Sequence, residues 1–483
     1  MKQQGKYVRW ALLILTMIPL LFINLSGQQD WGDDYGAYLQ QAFNIAHLHN
    51  PFATTFVFDK EEACRHAASV PLGFPLLLSP AIWIAGHGHI LFLQVYMNFF
   101  LLCFFGLFFL ICKKQIGFYP ALAAAFLFFY HPFLLSFKSN LLSDIPFCFL
   151  VYANLYLHSI DKKNTALKCV ALSLALLTRT TGLVLLLAIV LFQAITLLSA
   201  KKFKARHWLS QLLPTLVAVT VFSLVEWITY LFTGSGNLMY YSQAACTKDI
   251  QISISGNMEH YKNMFIDFFN ILPQSALGYL FASAMLILSM LGFVIQCKRK
   301  LTATELFFAA YLLFFVGWFQ GNQSERFMLP LLPLFGYYLF SLLGKSKVNL
   351  VFATIIVGYF GWKYMPNANA MLRPSALTGP FDQSGSQLLE YIKIKIPENE
   401  TVVFNKARVM AFYTGKKVMY QKNASPIDAL KHYQKMKATK LVHYTGPFDW
   451  DLTCPPLDTF VNYYQKSLQL HFKQGNFEIW KLR

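Results

Sequence analysis

The stretch Trp31-Gly32-Asp33-Asp34-Tyr35-Gly36-Ala37-Tyr38-Leu39 sets two adjacent carboxylates just past the first apolar segment of a strongly hydrophobic chain. Acids beside a membrane span are costly and rare, so they mark function by default. Upstream, Lys2, Lys6 and Arg9 precede an apolar run over residues 10–25. That run is read as an uncleaved first span rather than a signal peptide cut near Ser26-Gly27. Either reading puts Asp33 and Asp34 on the far side of the membrane. Downstream, Tyr35, Tyr38, Leu39, Ala42, Ile45 and Ala46 recur at helical spacing. This predicts a short amphipathic helix lying at the interface, with Gly32-Asp33 at its start.

Composition places the whole chain in the bilayer. Of 483 residues, 56% are hydrophobic, 17% aromatic and 13% charged, and the mean hydropathy is +0.42. A soluble domain is nearer one quarter charged. The net charge of +18 would suggest nucleic acid in a soluble chain. Here it sits in short basic clusters between apolar runs, where it reports topology, so no nucleic-acid partner is expected. The eight cysteines have no CxxC or metal-ligand spacing, which argues against a metal centre built on them.

After an interrupted apolar stretch over 71–85, read as a half-inserted helix, spans are expected over 89–112, 119–135, 144–160, 166–177, 182–198, 209–232, 275–296, 306–319, 328–343 and 348–362. With the first, that makes about eleven. The five basic clusters that follow Cys112, Ile160, Leu198, Gln296 and Leu343 then fall on one side together with the N-terminal Lys and Arg. The positive-inside rule makes that side cytoplasmic. A long polar loop is expected over 234–270. From 364 to 483 short strands alternate with helices, which predicts a small α/β domain on the outer side. The expected fold is therefore mainly α: a polytopic helix bundle over 1–363 with a soluble periplasmic domain over 364–483.

Charged residues on the outer face form a candidate site. Asp33 and Asp34 lie in the first loop, Lys138 and Asp144 flank Ser139-Asn140-Leu141-Leu142-Ser143, Arg179 breaks two short helices, and Arg326 precedes Phe327-Met328-Leu329-Pro330. An acid can activate a hydroxyl as general base, while cations hold a phosphate and stabilise its growing charge.

These motifs, in this order, resemble the multi-spanning GT-C glycosyltransferases that use lipid-linked sugars, most nearly the protein O-mannosyltransferase and aminoarabinose-transferase type. The first-loop Asp, with a Tyr four and an Ala eight residues on, corresponds to Asp34, Tyr38 and Ala42; Asp33 is an extra acid, and a register shift by one keeps both in view. The likeness continues through Pro71-Leu72-Gly73-Phe74, Ser143-Asp144-Ile145-Pro146, Leu177-Thr178-Arg179-Thr180-Thr181-Gly182 and Arg326-Phe327-Met328-Leu329-Pro330. One departure is Ser69-Val70, where the aminoarabinose type has Glu-Lys; Arg65 and His66 are the nearest charges to stand in.

The resemblance implies an inverting hexosyl- or pentosyltransferase in the bacterial inner membrane. It would move a sugar from a polyprenyl-phosphate carrier to a hydroxyl on a lipid, glycan or protein at the periplasmic face. Asp34, with Asp33, would be the base and Asp144 would orient it. Lys138, Arg179 and Arg326, with Arg65 and His66, would hold the donor phosphate, and the 234–270 loop would close as a lid. No cofactor is required, although oxygen ligands at Asp33, Asp34 and Asp144 suit magnesium or manganese. Two other classes stay open: a flippase for a lipid-linked sugar, and a non-catalytic envelope assembly protein acting through the α/β domain.

Overall fold

In lipid a chain must satisfy its own backbone hydrogen bonds, so long apolar runs close into helices. The structure, a computed structural model, describes residues 2–59, 69–160, 164–199, 205–234, 254–269, 275–317, 324–372, 379–449 and 451–482. Among the described residues, four helices are long and apolar enough to cross a membrane: Ile90–Ile116, the Leu209–Thr233 part of a longer helix, Ala276–Arg299 and Lys347–Met371. Shorter apolar helices of 10–17 residues complete the bundle. Side chains such as Leu216, Trp227, Leu277, Ile287 and Ile355 point outward and exposed, as a lipid-facing surface requires.

In chain order the bundle comprises α1 (Lys2–Met17), α2 (Asp33–Ala46), α3 (Gly73–Ala85), α4 (Ile90–Ile116), α5 (Phe118–Phe129), α6 (Pro132–Phe137), α7 (Asp144–Ser159), α8 (Thr165–Thr178), α9 (Gly182–Leu198) and α10 (Ala205–Thr233). It continues with α11 (Ile254–Phe269), α12 (Ala276–Arg299), α13 (Ala303–Gly317), α14 (Ser324–Met328), α15 (Leu332–Ser341) and α16 (Lys347–Met371).

Several expected spans are divided in two. The 119–135 segment breaks at His131, extended at φ −61°, ψ 132°. Pro132 follows it and disfavours the helical region for its predecessor. The 328–343 segment breaks around Pro330, between α14 and α15. The expected polar loop over 234–270 is not one loop. Residues 235–253 lie outside the described residues, and α11 is a docked helix burying Tyr261, Met264, Phe265 and Phe269. His131 stacks on Phe268 at 3.9 Å and its Nε2 contacts the Phe268 carbonyl at 2.9 Å. The lid role thus fails for 254–269, where the chain is packed. The boundary placed at 363 falls inside α16, which runs on to Met371.

The C-terminal unit comprises α17 (Gln383–Lys395), β1 (Thr401–Val403), α18 (Ala407–Thr414), β2 (Lys417–Met419), α19 (Pro426–Lys435), β3 (Ala438–Tyr444), α20 (Pro455–Tyr464), β4 (Gln469–Gln474) and β5 (Phe477–Lys481). Its five-stranded sheet has the order β2-β1-β3-β5-β4. β1 pairs in parallel with β2 and β3, while β5 is antiparallel to β3 and β4. The segment after α2 joins its edge: Phe56 bridges Val418, and Val57 N–H donates to the Val418 carbonyl at 2.8 Å.

Contrary to the expected interfacial position, α2 is sandwiched. It packs on α3 on one side and on α18 on the other. Tyr35, Tyr38, Leu39 and Ala42 are buried, and they share one apolar core with Phe74, Val402, Phe404 and Val409. The reason lies in Gly36, where a Cβ would sit 2.8 Å from the Val409 Cα. Only glycine lets the two helix backbones approach so closely. Trp31 is anchored in the sheet, edge-on to Phe404 at 5.5 Å and tilted against Phe477 at 5.8 Å.

A candidate active site between the bundle and the sheet domain

The site grows out of four helix ends. Asp33 and Asp34 occupy the first turn of α2, where acids complement the helix dipole. Gly32 is the N-cap and makes no side-chain cap, so neither acid is spent on capping. Asp144 opens α7, next to Ser143. Arg179 ends α8, its backbone extended at φ −149°, ψ 143°, so the helix stops and the side chain turns sideways. Arg326 comes from the short α14.

Asp144 is 2% exposed and carries a guanidinium on each oxygen: Arg179 Nη1 at 2.5 Å from Oδ1 and Arg326 Nε at 2.7 Å from Oδ2. Arg179 also donates to Ser143 Oγ at 3.2 Å, and the Tyr38 hydroxyl meets the same oxygen at 3.1 Å. Burial pushes the Tyr38 phenol up to about 12, so it stays protonated. Both arginines lie over rings, Arg179 over Phe327 at 5.0 Å and Arg326 over Phe137 at 5.9 Å. Asp144 is thereby a fixed strut: both of its oxygens are occupied, and what it does is aim two cations.

Asp33 and Asp34 are distinguished by their surroundings. Asp34 is 41% exposed, with Arg326 Nη1 at 3.6 Å from Oδ2 and Arg408 Nη1 at 3.4 Å from Oδ1. Burial pushes its carboxyl up, but Arg326, Arg408 and Arg179 together outweigh that and hold it below the usual range. Asp33 is 14% exposed. It accepts from the Arg408 backbone N–H at 3.0 Å and from the Tyr420 hydroxyl. Burial there outweighs the nearby Arg408 and Tyr420, and its pKa is raised. Asp34 is thus ionised and open, whereas Asp33 is tied into the sheet domain.

Arg408 and Tyr420 are contributed by the C-terminal unit, and sequence reading missed both. Arg408 is 6% exposed and lies over Phe56 at 5.5 Å and Tyr420 at 5.9 Å. One signal was available: an arginine inside the apolar run Ala407-Arg408-Val409-Met410-Ala411, where a charge needs a partner.

The cluster gathers Asp33, Asp34, Asp144, Arg179 and Arg326 as expected, but not Lys138. That residue is 1% exposed and its Nζ donates to Asn98 Oδ1 at 3.1 Å. Its reason is local: it follows the short α6, whose end turns the side chain inward. Burial pulls its ammonium down to about 7. Arg65 and His66 lie outside the described residues. No cluster of three His, Cys, Asp or Glu side chains fit to hold a metal occurs among the described residues, and the arginines already occupy the Asp144 oxygens.

No family model matches the chain, and no curated protein matches it in sequence. Among solved structures it is similar to the Archaeoglobus fulgidus oligosaccharyltransferase in the apo form, with TM-score 0.55 and 12% identity over 91% of this chain and 70% of that one. It also aligns with ArnT from Cupriavidus metallidurans bound to undecaprenyl phosphate, at TM-score 0.46 and 12% identity over 98% of each chain. The apo state of that protein gives TM-score 0.46 and 13% identity over 100% of this chain and 99% of that one. At 12% identity, the likeness to the oligosaccharyltransferase is one of fold alone.

Proposed function

We propose that the protein is a membrane glycosyltransferase taking a sugar from a polyprenyl-phosphate carrier and giving it to a hydroxyl acceptor. The observation that carries this reading is the charge arrangement around Asp34: one open, ionised carboxylate beside two arginines locked in place by a buried aspartate. A flippase needs cations for the phosphate but no base at the same mouth. The fold shared with an oligosaccharyltransferase raises the expectation, by analogy.

Asp34 accepts the proton of the acceptor hydroxyl as the new C1–O bond forms. The C1–O bond to phosphate breaks, and its electron pair leaves on the phosphate oxygen, opposite Arg326 and Arg179. Asp34 and Arg326 are 3.6 Å apart, a loose contact that an arriving phosphate can displace. Losing that guanidinium to the phosphate raises the basicity of Asp34 when a donor is bound. Attack opposite the leaving group inverts the anomeric centre. The fixed Asp144–Arg179–Arg326 unit supplies preorganisation, since nothing there need move during reaction. In this reading the outer face is periplasmic, in a bacterial inner membrane with the N-terminus cytoplasmic; the bundle through α16 is the catalytic module and the C-terminal sheet unit closes its mouth. The hexosyl- or pentosyltransferase choice, the acceptor and any divalent cation follow the same resemblance.

The test uses proteoliposomes with a carrier lipid labelled on the sugar. Release of unsugared polyprenyl phosphate with label passing to an acceptor supports the reading. Movement of intact labelled carrier between leaflets, without release, contradicts it.

A further inference from the structure

Past the carboxylates, α2 forms one wall of a second cleft. Gln40 and Gln41 face it from α2, Thr54 and Phe56 from the following loop, Ser69 from the segment before α3, and Arg408 from α18. The cleft is shallow, with about 30 Å³ of room between its walls inside a mouth of about 360 Å³ that includes open solvent. Asp33, Asp34, Asp144, Arg179 and Arg326 take no part in its lining, and Asp34 meets it only through Arg408. Arg408 is the link: it lines the cleft and reaches Asp34 Oδ1 at 3.4 Å.

Gln41 is the anomaly. It is 5% exposed, and neither its Nε2 nor its Oε1 has a hydrogen-bond partner among the described residues. Its neighbour Gln40 donates to Asn44 Oδ1 at 3.1 Å. Buried carboxamides are almost always paired, so one left open toward a cleft is matched to something that binds there.

We infer that this cleft is the acceptor subsite, and that it takes a neutral polyhydroxylated group, a pyranose of a glycan or glycolipid. The Gln41 carboxamide reads two of its neighbouring hydroxyls. This rests on the glycosyltransferase reading above and deepens it by naming the acceptor class. Position is the first support. Asp34 turns one oxygen to Arg326, on the phosphate side, and the other to Arg408, on the cleft side. An inverting displacement needs the attacking hydroxyl opposite the leaving group, beside the base. Chemistry is the second support. A carboxamide presents donor and acceptor side by side, which suits two adjacent hydroxyls. Besides Arg408, whose charge is already met by Asp33 and Asp34, the described lining contains hydroxyls, carboxamides and the apolar Pro51, Phe52 and Phe56, and no carboxylate. This is the mixture of apolar face and few placed polar groups found in ligand sites.

The experiment measures binding as well as turnover. The full-length protein in lipid nanodiscs is titrated by saturation-transfer NMR with methyl pyranosides, their deoxy analogues and a Ser/Thr peptide. A methyl pyranoside is expected to bind, and Gln41→Leu to weaken it by about tenfold or more, because a site built for hydroxyls rejects partners that leave it unpaired. A deoxy analogue lacking one of the hydroxyls read by Gln41 should weaken wild type similarly yet bind Gln41→Leu as the parent does. The analogue series on wild type keeps the inference testable even if Gln41→Leu misfolds. Peptide binding without pyranoside binding overturns it. So does pyranoside binding indifferent to both changes, which leaves Gln41 to a trapped water. With labelled donor added, the bound pyranoside should be glycosylated; competition with the donor instead would assign the cleft to the donor sugar and sink the inference. Failure of the glycosyltransferase reading shows separately, as absence of sugar release from the carrier.

Discussion

Replacing Arg408 by Gln tests whether the sheet domain tunes the base. In the wild type Arg408 Nη1 stands 3.4 Å from Asp34 Oδ1. At about 4 Å a unit pair is worth roughly 1 kcal/mol in bulk water and roughly 4 kcal/mol near a protein surface. The Asp34 side chain is 41% exposed, so screening selects the lower part of that window, roughly 1–2 kcal/mol. One pKa unit corresponds to about 1.4 kcal/mol, so Arg408→Gln should raise the Asp34 pKa by about one unit. Asp34 is depressed in the folded protein, so its ionised form is lost only as pH falls through that depressed value. Arg408→Gln moves this loss to higher pH. The assay is the pH profile of kcat/KM for sugar release from labelled carrier. Its acid limb should shift up by about one unit, with the plateau at neutral pH reduced less than the rate at acid pH. An acid limb that stays in place, with the sheet domain still protease-resistant, would refute the electrostatic reasoning.

Other perturbations probe the frame. Asp144→Asn leaves two guanidiniums facing a neutral group, and breaking a buried ion pair costs about 3–5 kcal/mol; a large drop in Tm in nanodiscs, with lost transfer, is expected. Gly36→Leu puts a side chain where the Val409 backbone lies 2.8 Å from the Cβ position. Overpacking of this kind costs roughly 1–3 kcal/mol, and limited proteolysis should show the C-terminal unit released from α2. Lys138→Met should retain transfer, because that ammonium is buried and donates to Asn98 rather than to the cluster's carboxylates. The Lys138 pKa is lowered to about 7 from 10.5, so the unfolded chain binds the extra proton between those values and stability should rise with pH there. Lys138→Met should flatten that rise; loss of donor affinity instead would restore Lys138 to the phosphate site.

Much of the bundle was legible because membrane helices declare themselves by apolar length and by basic clusters at their ends. The broken pair at Thr178–Gly182 and the sheet strands were legible for related local reasons, turn residues and alternation. What local pattern could not show was contact between distant segments. The periodicity of Tyr35, Tyr38 and Leu39 correctly announced a helix with one apolar face. It could not say that Gly36 would admit α18 on the other side, so α2 looked like a surface helix. Arg408 and Tyr420 were missed for the same reason: each reaches Asp33 across more than 370 residues of chain. That Lys138 turns to Asn98 was not legible either, because sequence gives the side of the membrane and not the direction in which a side chain turns. The resemblance favoured Asp34 over Asp33, by the Tyr38 and Ala42 that follow it; in the structure Asp34 is the more exposed of the two.

The most direct measurement compares Asp34→Asn with Asp33→Asn in initial rates of sugar transfer from labelled polyprenyl-phosphate carrier, using protein shown to be inserted and folded. A general base contributes roughly a hundredfold to ten-thousandfold. The account predicts a loss of that size for Asp34→Asn and a much smaller one, accompanied by loosened packing of the sheet domain, for Asp33→Asn. Full activity in Asp34→Asn, or the reverse order of the two, would contradict it.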